Sequence, residues 1–114
     1  MLEIFANTDT ESMNEKEAEE FCRLIEEKNK AIINQFSFMI SNTQNVNLAR
    51  ALVKYVSSED ISVRNLAGEI LINMGALAVE PLMEELKDGD KHKKKFIIDV
   101  LGLIGDKRAS EQIL

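Results

Sequence analysis

Tryptophan is absent from the 114 residues, and proline, cysteine and histidine occur once each. Each shortage excludes something. A single cysteine, Cys22, permits neither an internal disulfide nor a cysteine-based zinc site within one chain, and it points to a reducing, cytoplasmic setting. A lone histidine, His92, sits beside lysines and makes a poor metal ligand or base. One proline and five glycines argue against a turn-rich all-β fold. The glycines fall at 68, 75, 89, 102 and 105, with no glycine-rich phosphate loop among them. No apolar run reaches the roughly 18 residues of a membrane span. The opening MLEIFANTDTES lacks the basic and apolar parts of a secretory signal. The carboxylates are many, but no pair converges for acid–base chemistry. The sequence therefore predicts no catalytic residue, no cofactor and no metal.

What is present is aliphatic and charged. Hydrophobic residues make up 45% and aromatics only 5%, so Leu, Ile, Val and Ala must fill the core. The length suits one domain. The net charge of −6 is unevenly spread. Residues 1–30 carry nine acids against four bases, and residues 61–90 six against two. Residues 91–114 reverse this, with six bases against three acids. An acidic chain does not attract phosphate backbones broadly, so nucleic acid is not the expected partner.

Internal repetition organises the second half. At an offset of 30, Asp60 falls on Asp90, Arg64 on Lys94, Ile70 on Val100, Leu71 on Leu101 and Gly75 on Gly105. One added residue then sets Ala78 on Ala109 and Leu82 on Ile113. A period of about thirty residues holding two short helices is the mark of a helical solenoid. In the best-formed unit, Asp60 is the expected N-cap. Val63, Leu66, Ala67, Ile70, Leu71 and Met74 form the buried face, and Gly75 ends the helix. Ala78, Val79, Leu82 and Leu86 mark the second helix, with Pro81 in its first turn or so. The final unit has Phe96, Ile97, Val100, Leu101 and Ile104, then Gly105 as a stop and a short helix from about Arg108. An earlier, degenerate unit takes Ala31–Ile40 as its first helix and about Val46–Ser57 as its second.

The first third reads differently. Residues 1–13 are expected to be weakly ordered, although Leu2, Ile4 and Phe5 offer apolar contact. Ser12 and Glu15 have capping-box spacing, with Asn14 as a competing cap. Ala18, Cys22, Ile25, Ile32, Phe36 and Met39 then follow a 3.5-residue rhythm, interrupted by polar residues 26–30. Residues 14–41 are thus one long helix or a broken one, packed on the chain itself or on a second copy. With residues 44–114 as repeats, residues 14–114 make a single helical domain. The fold class is all-α, an α-solenoid with an N-terminal non-repeat helical region.

The residues Asp60-x-x-Val63-Arg64, Ala67, Ile70-Leu71, Gly75, Ala78-Val79 and Pro81-Leu82 resemble the HEAT repeat, in particular the short HEAT-like repeat of the phycobilisome-lyase type. Asp90, Lys94, Val100-Leu101-Gly102, Ile104-Gly105-Asp106 and Ala109 look like a second copy. The resemblance implies second helices lining a concave face and, most often, a protein-binding scaffold. It also implies two alternatives, an accessory module of a bilin-lyase-like enzyme and a nucleic-acid-binding repeat. Arg64 is expected to pair with Asp60 or Asp90.

Function is then expected where the repeat leaves residues free. On the second helices, Arg50 aligns with Glu80 and Lys54 with Glu84, so helices packed side by side are expected to pair them across repeats in a mixed-charge surface with Tyr55 and Met83 as apolar anchors. Lys91, Lys94 and Lys95 form a basic run suited to an anionic partner. The expected partner is another protein. A homo-oligomer is also expected, through the N-terminal helical region or the open C-terminal repeat. No membrane partner is expected.

Overall fold

A computed structural model describes residues 5, 7–87 and 90–112, with side chains only as far as residue 105. Among the described residues every regular element is helical. Six α-helices follow in order: α1 Glu15–Cys22, α2 Lys30–Ser41, α3 Val46–Val53, α4 Ile61–Met74, α5 Ala76–Leu86 and α6 Lys91–Gln112. α1 and α3 each run on into a four-residue 3-10 turn, Arg23–Glu26 and Lys54–Ser57.

The helix starts are set by side-chain caps. Asn14 accepts from the Glu17 amide while Glu17 reaches back to the Asn14 amide, a reciprocal box that satisfies two free donors. The capping box expected at Ser12 and Glu15 is therefore displaced by two residues. Ser12 instead belongs to a short 3-10 turn, Thr10–Ser12, capped by Asp9. Asn29, Asn45 and Asp60 cap α2, α3 and α4, and Asp90 accepts from the Lys93 amide at the start of α6. α5 follows α4 through the single residue Gly75, whose φ of 64° is the one positive value among the described residues. A side chain there would be strained, although no neighbour lies close enough to clash with it.

These caps recur at fixed steps. Asn14, Asn45 and Gly75 open α1, α3 and α5, and Asn29, Asp60 and Asp90 open α2, α4 and α6. Each step is 30 or 31 residues. Residues 14–41, where no repeat is expected before Ala31, hold the same pair of helices as residues 45–74, even to the 3-10 turn that closes the first.

Packing follows the same order. α1 lies against α3 and α3 against α5, while α2 lies against α4 and α4 against α6. The odd-numbered helices form one row and the even-numbered helices a second, with the core between them. Phe36, Ile40, Leu48, Leu52, Ile70, Leu71, Leu82, Ile97 and Ile104 are essentially inaccessible there. Gly68 lets α6 approach α4: a Cβ at that position would stand 2.9 Å from the Phe96 ring and 3.6 Å from Val100. The stripe Ala18, Cys22, Ile25 and Phe36 is buried inside this same core, so it is not a free seam for a second chain.

One open alternative is decided and two expectations change. Residues 14–41 form two helices, because the chain is extended at Glu27 and Asn29 before α2 begins. α6 continues through Gly105 to Gln112, so no separate helix starts near Arg108. A helical glycine costs about 1 kcal/mol relative to alanine but does not itself end a helix. Pro81 lies in the second turn of α5, since that helix begins directly after Gly75. The apolar pair Ile113–Leu114 lies outside the described residues.

Where residues 1–13 are expected to be weakly ordered, the described ones are anchored; Leu2 and Ile4 lie outside the described residues. Phe5 is buried, its ring edge-on to Phe21 at 6.2 Å. The Glu11 carboxylate accepts from the buried Thr43 hydroxyl at 2.6 Å and from the Gln44 amide at 3.0 Å. Those two bonds hold its pKa below the ordinary value. This tie is complete at neutral pH and weakens as pH falls through that lowered value.

Candidate interaction surface

The row α1–α3–α5 brings part of the expected surface together. Arg50 and Lys54 lie one turn apart on α3 and its 3-10 extension, both exposed. With Glu84 they line a hollow of about 190 Å³ that also receives Glu15, Glu19, Asn47, Pro81 and Glu85. α1 supplies two carboxylates on one side and α5 supplies two on the other, with the two cations between them.

The ion pairing differs from the expected one. Lys54 donates to Glu19 of α1 at 2.8 Å rather than to Glu84 of α5. The hydrogen bond, with Coulomb attraction behind it, lowers the Glu19 pKa and raises that of Lys54. Glu15 and Glu85 add to the Lys54 shift from both sides. Among the described residues Arg50 makes no ion pair with Glu80 or any other acid. It stands as an exposed cation in an acidic hollow.

Other expected residues lie elsewhere. Glu80 is exposed on α5 outside the hollow. Met83 is 54% exposed and likewise does not line it. Tyr55 is half-buried against the core. Burial raises its pKa first, and the nearby Glu26 adds to the rise. Sequence reasoning missed Glu15, Glu19 and Glu85. The available signal was the spacing of Glu15 and Glu19, four residues apart, on a helix otherwise read as lying outside the repeats.

The basic run splits in two. Lys93 turns inward to Glu85 at 2.6 Å, both side chains largely covered. Lys91, Lys94 and Lys95 surround Ile98 in an open hollow on the outer side of α6. A second crevice, about 400 Å³, lies where α4, α6 and the 3-10 turn after α3 meet. Arg64, His92 and Lys95 share it with Asp90 and Asp99. Arg64 approaches neither Asp60 nor Asp90 within ion-pair distance; Asp60 is met by Lys28 at 4.0 Å.

Cys22 is inert by position. Its thiol is fully buried under α3, 3.8 Å from the Leu48 carbonyl, and burial pushes its pKa from 9.0 up to about 12. The raised value means that the buried neutral thiol contributes stability below pH 9, and this is lost as pH climbs towards 12. At pH 8 a thiol reagent should label the native chain at least about a hundredfold more slowly than the unfolded chain, because only opening exposes the sulfur. Equal rates would contradict the burial.

Among the described residues no group of three or more His, Cys, Asp or Glu is placed to hold a metal ion. Among the described residues no helix is long and apolar enough to cross a membrane. No family model, no curated protein and no solved structure matches the chain.

Proposed function

We propose that the chain is a non-catalytic protein-interaction module, an α-solenoid of HEAT-like helix pairs that takes a partner segment along its α1–α3–α5 row. The observation that carries this reading is the hollow between those helices, where Arg50 and Lys54 lie among Glu15, Glu19, Glu84 and Glu85. The three helices lie side by side, so the hollow spans more than one helix pair. Fixed charges of both signs along such a surface select a partner and its register by complementarity. Arg50, exposed and without an ion pair among the described residues, is free to meet an incoming carboxylate. The regular steps of the caps and the two rows support the solenoid part of the reading.

The test is a comparison of captured partners. A protein retained by the immobilised wild-type chain should be lost, with at least about a tenfold fall in affinity, from Arg50→Glu/Lys54→Glu. It should be retained by Lys87→Glu, which alters an exposed charge outside the hollow. Capture that survives the double reversal unchanged contradicts the proposal.

A further inference from the structure

The two ends of the helix rows are finished differently. At the first end, Phe5 is buried against Phe21, and the tie from Glu11 to Thr43 fastens residues 9–13 across the α2–α3 corner. At the other end α6 lies against α4, α5 and the 3-10 turn after α3. Ile97, Val100 and Ile104 are buried, Phe96 and Val100 meet Gly68 of α4, and Lys93 meets Glu85 of α5. Lys91, Lys94 and Ile98 share another face, spaced as neighbours on a helix, while Leu101 packs against the core. Ile98 is 56% exposed and lies among Lys91, Lys94 and Lys95. An exposed aliphatic side chain ringed by three lysines is complementary in charge to an acidic surface.

The chain carries such an acidic surface at its opposite end. From Glu15 to Glu27 there are six glutamates against Lys16 and Arg23. Glu15 and Glu19 face the hollow shared with α3, and the Glu17 carboxylate serves in the helix cap. Glu20 and Glu27 are exposed and make no ion pair among the described residues. We infer that the lysine-ringed face of α6 docks onto the acidic α1 end of a second copy, head to tail. The contact joins unlike surfaces, so each added copy presents the same free ends again, and assembly continues with concentration instead of closing as a symmetric dimer. Lys91, Lys94, Lys95 and Ile98 on one copy and Glu20 and Glu27 on the other do not line the hollow around Arg50, so this inference stands or falls separately from the proposed function.

Sedimentation of the full chain tests it. The average mass of the wild type should rise steadily with concentration and fall towards the monomer when salt shortens the reach of the charges. Lys91→Glu/Lys94→Glu/Lys95→Glu alone should sediment as a monomer, and so should Glu20→Lys/Glu27→Lys alone. Circular dichroism identical to wild type would confirm that each is folded. An equimolar mixture should associate again, because each reversed end then meets an end of opposite charge on the other variant. Three results would overturn the inference: a monomeric wild type at every concentration, reversed variants that associate as the wild type does, or a mixture no larger than its separate components.

Discussion

Phe36→Ala is expected to lower the unfolding free energy by about 3–5 kcal/mol, the range for removing a fully buried aromatic ring. Domains of this kind hold about 5–15 kcal/mol in total, so the loss would be a large share. Phe36 is inaccessible, its ring 5.2 Å from that of Phe21, which in turn packs edge-on to Phe5. The substitution opens a cavity where α1, α2 and the N-terminal stretch meet. Phe38 provides the internal comparison: it lies two residues along the same helix and is 68% exposed. Phe38→Ala should change stability by no more than about 0.5 kcal/mol. Urea unfolding measures both, with the midpoint moving and the slope unchanged. Similar losses at the two positions would contradict the orientation of α2.

Leu52→Ala should cost about 2–5 kcal/mol. Leu52 is inaccessible near the end of α3, the middle helix of its row. A void there removes contacts from the helix that both α1 and α5 lie against, so both ends of the row lose support. Leu52→Met keeps the volume and should cost less than about 1.5 kcal/mol. A deficit in the alanine variant that methionine does not relieve would point to something other than packing.

The parts of the fold legible in the sequence were those where local chemistry and tertiary packing demand the same residue. Asp60 caps α4 and Gly75 ends it, since a cap needs a short acceptor and a positive φ favours glycine. The helical character of residues 45–104 was readable for a similar reason, because the apolar spacing has one period throughout. The helix pair in residues 14–41 was harder to see. Its helices start in step with α3 and α4, but the buried residues trade volume across the step. Phe21 stands where Leu52 stands one unit on, and Phe36 where Ala67 stands. A core constrains total volume more tightly than the identity of each side chain, so burial recurs where the letters do not.

Gly105 misled in the opposite way. It matches Gly75 in position, yet only Gly75 adopts the backbone angle that turns the chain. The hollow was half legible. Arg50, Lys54 and Glu84 were singled out from their alignment, but pairing Lys54 forward onto α5 overlooked the helix behind it. Glu19 is an exposed residue of α1, and only its spacing of four residues from Glu15 sets it apart from Glu17 and Glu20.

The central claim is that three helix pairs stack in two rows and that the last helix runs on without turning back. Nuclear Overhauser contacts in the labelled chain test it most directly. The structure predicts contacts from the Gly68 α-protons to the Phe96 ring and the Val100 methyls. It also predicts unbroken helical contacts between residues three apart from Ile98 through Gly105 and beyond. Absence of the Gly68–Phe96 contact, or a break at Gly105 with the following residues folded back onto α5, would contradict it.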